Sequence, residues 1–281
     1  MKELKLYLNY AGLCYARKNY ALRGAENKEI QFHALFGLIQ HPDHGWILYD
    51  TGYTQRFFET TKKFPNKIYA LATKVVVDKT EEVKAQLEKF GLTASDIAHV
   101  IITHFHADHI GGLKDFTNAR LYCSEAAYQQ IKGMNSLFAF RKGILKELLP
   151  EDFESRMVII EDQAIHIKDS VFDIKYDLFG DDSLLLYPVP GHAAGMMAVL
   201  LTTNKRKYFL IADTCWLRES YQKMILPHPL VKLFFDSWKD FKRSLEKVYL
   251  FHQRNPDVMV VPTHCYETTS QLVTLNDLDA L

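Results

Sequence analysis

Between positions 104 and 109 the chain reads His104-Phe105-His106-Ala107-Asp108-His109, four side chains able to ligate a metal within six residues. A divalent cation such as zinc is held by neutral imidazoles and carboxylates that converge on one point, usually from loops at strand ends. A period near two at the end of a strand places His104 and His106 on the same side. Gly111 and Gly112 then relieve backbone sterics as the chain turns, which directs Asp108 and His109 to a neighbouring point. One ion cannot readily use all four groups from so tight a loop, whereas two adjacent ions can. Packed together without a metal, they would be costly unpaired polar groups.

Three later segments each add one candidate immediately after an apolar run. They are Pro190-Gly191-His192-Ala193-Ala194-Gly195, Ile211-Ala212-Asp213 and Val260-Val261-Pro262-Thr263-His264. The His and Asp set is therefore His104, His106, Asp108, His109, His192, Asp213 and His264. A lone histidine is usually a polar core or surface residue, and that reading is kept for His33, His41, His44, His99, His166, His228 and His252. Cys215 and Cys265 sit beside candidate ligands in sequence but read as small buried fillers.

The elements that must position these residues follow from the apolar pattern, which switches repeatedly between periods of 2 and 3.6. Residues 30–40 and 46–49 read as strands joined by the turn His41-Pro42-Asp43-His44-Gly45, with Asp50-Thr51-Gly52 ending the second. Helical character is expected from about Tyr53 to Lys63. A helix is also expected from Thr80 to Phe90, with Thr80 as its cap, Glu81 and Glu82 in its first turn and Gly91 past its end. Residues 99–103 form a short β-branched run, hence a buried strand that stops at the first cluster. Further strands are expected over 120–123, 157–160, 171–179, 184–189, 197–203, 207–212 and 258–261. Helices are expected over 125–132, 143–149 and much of 229–254. This is an α/β or α+β pattern, and periodicity alone leaves the choice open.

Composition narrows the function classes. Lys+Arg and Asp+Glu both number 34, so the formal net charge is zero, which argues against general binding to nucleic acid. No apolar run approaches a membrane span, and the first residues alternate like a strand rather than forming an apolar signal core. The four cysteines are scattered, without a CxxC pair, and read as reduced thiols suited to the cytoplasm. No composition break or repeat divides the 281 residues, so one domain over 1–281 is expected.

The order HxHxDH, then His192, Asp213 and His264, resembles the metallo-β-lactamase fold superfamily, and the resemblance covers nearly the whole chain. Asp50-Thr51-Gly52 matches the family's early turn. The resemblance implies an αββα sandwich of two mixed sheets flanked by helices, with two metal ions at one edge. It implies that His104, His106 and His192 hold the first ion, that Asp108, His109 and His264 hold the second, and that Asp213 bridges them. Zinc is the expected metal, and manganese and iron suit the same ligands. Two such ions share a water and lower its pKa toward about 7, giving a bridging hydroxide that attacks a carbonyl. Asp108 or Asp213 accepts the proton and returns it to the leaving group.

The segments FHALFGLIQHPDHGWILYDTGY (32–53) and IITHFHADHIGG (101–112) are similar to those of N-acyl homoserine lactonases. A small-molecule lactone is therefore the expected substrate. That group carries a Tyr three residues beyond the bridging Asp, where this chain has Trp216; Tyr221 and Tyr266 are further candidates for the substrate contact. A thioester hydrolase of the glyoxalase II type is the nearest rival, and a non-catalytic metal-binding protein is the other class. The apolar stretch from Trp216 to Phe235 suits a wall over the metals, helix packing or a homodimer surface. Phe57, Phe58, Phe64, Phe138 and Phe140 raise the same question.

Overall fold

The computed structural model describes residues 2–135 and 139–274. Strands β1 (Lys5–Arg17), β2 (Glu29–His41) and β3 (Gly45–Tyr49) form an antiparallel meander. From β3 the sheet continues in parallel through β5 (Ile97–Ile101), β6 (Arg120–Cys123) and β7 (Met157–Ile159). The short β4 (Val75–Val76) pairs with the far side of β1. The second sheet contains β8 (Ile165–Asp169), β9 (Asp173–Asp177), β10 (Leu184–Pro188), β11 (Met197–Thr202), β12 (Lys207–Leu210) and β13 (Val258–Val261). Its order is β13-β12-β11-β10-β9-β8, antiparallel throughout except for the β12–β13 pair.

Side chains alternate between the faces of a strand, and this assigns the layers. On β2, Leu35 and Ile39 face the second sheet, while Ala34, Phe36 and Leu38 face outward. On β10 and β12, Leu184, Leu186, Tyr208 and Leu210 point inward, and Tyr187 and Phe209 point outward. One core cluster thus fills the space between the sheets, and another lies on each outer face. On the second sheet that outer cluster is closed by Leu245, Val248 and Phe251 of the amphipathic helix Trp238–Arg254. Burying each of these contributes about 2 kcal/mol. The four-layer αββα arrangement expected from the sequence is the one observed.

Strand direction decides where function can sit. The strands β3, β5, β6 and β7 are parallel, so their C-terminal ends share one edge. Both β10 and β12 run antiparallel to β11, and β13 runs parallel to β12, so these three also end together. Tyr49, fully buried at the end of β3, accepts a hydrogen bond from Ala212 N–H at 3.1 Å just past β12. That bond fastens the two C-terminal edges to each other.

Several expectations are corrected. The segment 80–90 is not one helix but a 3₁₀ turn (Lys79–Glu81), a short helix (Val83–Leu87) and a second 3₁₀ turn (Glu88–Phe90). Its cap is Asp78, which accepts from Thr80 N–H while Glu81 accepts from Asp78 N–H; Thr80 lies inside the turn. Gly91 does end it, at φ +66°. The segment 143–149 contains only the 3₁₀ turn Lys146–Leu148, because Gly143 has φ +71° and cannot open a helix. In 229–254, a 3₁₀ turn over Pro229–Leu233 breaks before the long helix, which Ser237 caps by accepting from Asp240 N–H. The strands β4 and β8 had no sequence signal, since β4 is two residues long and β8 is a largely exposed edge strand.

On β5, His99 lies against Phe179 and Tyr122 with a buried Nδ1 that has no hydrogen-bond partner. Burial first, then the neighbouring cations, lowers this imidazole to about 4. The unfolded chain, with an ordinary histidine near 6.5, therefore takes up this proton first. The contribution is complete above about pH 6.5 and is lost as the pH falls toward 4. In metal-free protein, the drop in melting temperature from pH 7 to pH 5 is expected to be smaller for His99→Gln than for the native chain. Equal drops would refute this.

Candidate functional site

The first cluster leaves β5 at its C-terminal end. His106 precedes the short helix Ala107–Ile110, which carries Asp108 and His109 in its single turn. The loop is seated against the Asp50-Thr51-Gly52 turn: Thr51 N–H donates to His109 O at 2.8 Å, and a Cβ on Gly111 would lie 2.4 Å from Gly52 O. No larger residue fits that approach. On the other side, Ala107 N–H donates to Gly143 O at 3.0 Å.

His192 follows β10 in a loop wedged against the start of the helix Trp238–Arg254. Ser244 Oγ donates to Pro190 O at 2.7 Å, and Ser237 N–H donates to Gly191 O at 2.9 Å. Gly191, at φ +130°, lets the N-terminus of the helix Trp238–Arg254 approach so closely that a Cβ would meet Phe241 N at 2.0 Å. Asp213 follows β12 behind Ala212, a non-glycine residue at φ +47°. His264 follows β13, and its Nδ1 lies 2.8 Å from His33 O, to which it donates in the tautomer that leaves Nε2 bare. All seven expected side chains therefore meet at one edge between the sheets.

They form two groups. Ligand atoms of His104, His106, His192 and Asp213 lie within 4.8 Å of one another, as do those of Asp108, His109 and His264. Asp213 connects the groups: Oδ2 is 3.2 Å from His192 Nε2 and 2.9 Å from His264 Nε2, and Oδ1 is 3.5 Å from His109 Nε2. Burial and neighbouring imidazoles hold His104 and His106 well below the usual histidine range. Burial opposes charge on His109 and His264 too, but carboxylates (Asp50, Asp108 and Asp213 around His109; Asp213 and Asp108 beside His264) outweigh it and raise both. Burial likewise opposes charge on Asp213, yet the surrounding imidazoles hold it well below the carboxylate range. The decisive fit for cations is that His104 Nε2, His109 Nε2 and Asp213 Oδ1 are buried without a hydrogen-bond partner. Orphans of this kind are rare unless something else ligates them.

The sequence reading did not single out Asp50 for a role. It is fully buried at φ +54°, and its Oδ2 lies 2.7 Å from His109 Nδ1. Its place at the head of the Asp50-Thr51-Gly52 turn, directly after an apolar strand, was the available signal. Tyr53 and Tyr69 also went unremarked; both phenols are buried beside Cys14 and Asp108, and burial and then the Asp108 charge raise them well above 10.

Of the three aromatic candidates, only Trp216 is placed against the cluster. Its Nε1–H donates to Asp213 Oδ2 at 3.2 Å, and its ring stands edge-on to His192, 5.8 Å away. Tyr221 turns into the core, donating to Val260 O at 3.3 Å and packing on His252, so a substrate contact there is corrected. Tyr266 is half-buried, and its hydroxyl donates to Glu267. Phe32 and Phe235 flank Trp216 at 5.8 and 5.6 Å, forming an aromatic wall, while Leu230, Leu233 and Phe234 face outward. Phe57 is core, Phe140 is half-buried, Phe58 and Phe64 are exposed, and Phe138 lies outside the described residues.

A further group, His41, His44 and Asp181, brings its ligand atoms equally close. There, however, His41 Nδ1 accepts from Asp43 and His44 N–H at 3.1 and 3.2 Å. Its Nε2 therefore carries the proton, facing Ser183 Oγ at 3.0 Å, and has no lone pair for a metal.

Comparison with known proteins agrees with this geometry. The N-acyl homoserine lactonase AttM of Rhizobium radiobacter is 23% identical over 271 residues, covering 94% of each chain. A solved N-acyl homoserine lactone hydrolase, with the product N-hexanoyl-L-homoserine at its catalytic metal center, superposes with TM-score 0.74 at 18% identity, covering 96% of this chain and 97% of the other. The dizinc quorum-quenching lactonase AidC superposes with TM-score 0.63 at 15% identity, covering 95% and 89%. The model of the metallo-beta-lactamase superfamily matches residues 32–264, from the strand behind the cluster to the last candidate ligand. The expected fold and the expectation of a metallo-hydrolase are met at that level, and the chain belongs to the metallo-β-lactamase superfamily.

Proposed function

We propose that the chain, acting as one hydrolase domain, opens a small-molecule lactone of the N-acyl homoserine type with two divalent metal ions, zinc first among them. The observation that carries this reading is Asp213, placed against both groups, with His104 Nε2, His109 Nε2 and its own Oδ1 buried without a hydrogen-bond partner. Bound there, the cations would supply Lewis acidity and a water ionised near neutral pH. His104, His106 and His192 would hold one, Asp108, His109 and His264 the other, and Asp213 both.

The protein's own groups divide the remaining work. Asp108 has 11% of its side chain exposed against 3% for Asp213, so it is the carboxylate that reaches reactants. It takes a proton from the water that attacks the carbonyl carbon and returns it to the alkoxide released when the ring C–O bond breaks. Asp213 is held by Trp216, which spends its only donor there and so offers none to a substrate carbonyl. The Phe32–Trp216–Phe235 wall instead suits an apolar acyl chain. The four free, buried cysteines accord with a reducing compartment such as the cytoplasm.

A hydrolysis panel on metal-loaded protein tests the reading, comparing acyl lactones, lactoylglutathione, β-lactams and phosphodiesters. Lactone opening is expected, lost in His106→Ala with the fold retained. Turnover of the thioester alone would replace the lactone with the glyoxalase II reading. No turnover in a fully loaded protein would favour a metal-binding role without catalysis.

A further inference from the structure

Thr103 sits between the two groups, almost wholly buried, one residue before the first candidate ligand. Its Oγ1 lies 2.9 Å from Asp50 Oδ2, 3.0 Å from His104 Nδ1 and 3.3 Å from His109 Nδ1. Its backbone N–H donates separately to Asp50 Oδ1 at 2.9 Å. His109 Nδ1 reaches Asp50 Oδ2 directly, at 2.7 Å.

Hydrogen counting fixes the direction of this network. Asp50, as a carboxylate, only accepts, and the threonine hydroxyl has one hydrogen to give. His104 can expose a bare Nε2 only as the Nδ1–H tautomer, so Nδ1 donates to Thr103 Oγ1 and the hydroxyl donates onward to Asp50. His109 donates its Nδ1–H to Asp50 Oδ2. The two rings, 4.0 Å apart, belong to different groups, and the Nε2 atom of each is buried without a partner. One carboxylate therefore sets the tautomer of an imidazole on each side, by direct contact on one and through a hydroxyl on the other.

We propose that Thr103 is a positioning residue whose hydroxyl relays the Asp50 carboxylate to the His104 ion position, while Asp50 reaches the His109 position by direct contact. This rests on reading the seven side chains as a two-metal centre. Partners behind a ligating histidine fix its tautomer and ring orientation, and their loss commonly costs about 10–100-fold in metal affinity. Thr103→Val keeps the shape, the backbone bond to Asp50 and the 2.7 Å Asp50–His109 contact, and removes the relay to His104 together with the longer 3.3 Å approach to His109 Nδ1.

The test is titration of the metal-free full chain with Co(II), with chelator competition and the visible d–d spectrum as readouts. The native chain is expected to take up two ions. Thr103→Val is expected to bind one of them about tenfold or more weakly, leaving the other near native affinity with the spectrum of the Asp108–His109–His264 group. Thr103→Ser restores the native behaviour, and Asp50→Asn weakens both ions. Circular dichroism checks that each variant is folded. A Thr103→Val protein that holds both ions at native affinity, or weakens both equally, overturns the relay and leaves the two-metal reading standing. If the native chain itself cannot hold two ions, both fall.

Discussion

Asp213→Ala is expected to lower turnover of the best lactone by about a thousandfold or more, equivalent to some 4 kcal/mol of transition-state stabilisation. Asp213 is the candidate ligand placed against both groups: Oδ2 approaches His192 and His264, and Oδ1 faces His109. On the two-metal reading, removing it would take a ligand from each ion at once, and it withdraws the anion that offsets the imidazoles' local charge. Asp213→Asn keeps the shape and the acceptor oxygen for Trp216 but not the charge, and is expected to fall nearly as far. His41→Ala, in the cluster whose tautomer excludes a metal, serves as a control with activity retained. The measurement is kcat/KM under saturating metal, with circular dichroism to show the fold intact. An Asp213→Ala protein within tenfold of native activity would remove the shared carboxylate from the mechanism.

How much of this was legible in the sequence depends on the range of the interaction involved. The seven candidate ligands were readable because each follows an apolar strand, and a strand end at a sheet edge is set by local pattern. Asp50 was not, because its role depends on β3 lying beside β5, a pairing between segments some fifty residues apart. The fate of Trp216 was equally hidden: three residues beyond Asp213 its indole folds back onto that carboxylate, which spacing alone does not reveal. Tyr221 failed as a substrate contact because aromatic residues after a ligand look alike in sequence, whether they line a cavity or fill the core. The capping error at Asp78 was local. Asp, Thr and Glu all suit the start of a helix, and only the hydrogen bonds show which one stands outside it.

Chelating the metal is expected to lower the melting temperature by roughly 15 °C or more, the largest stability change the structure implies. A ligand that binds only the folded state at a thousand times its dissociation constant stabilises it by about 4 kcal/mol, and two ions give twice that. A domain of this size shifts by roughly 2–4 °C per kcal/mol. The structural reason is that the fold assembles this edge at a cost: Asp50 and Ala212 adopt left-handed backbone, and bare polar atoms on His104, His109 and Asp213 are buried together. Cations ligating those atoms would offset that cost in the native state alone, since the unfolded chain scatters the seven groups between positions 104 and 264. Scanning calorimetry with and without chelator measures the shift, and re-addition of zinc should restore it. In His106→Ala, where one group loses a member, the chelator-induced shift should shrink to about half. A native melting temperature indifferent to chelation, with metal content confirmed to have fallen, would mean the cluster is balanced by its own protons, and the metal centre would lose its energetic basis.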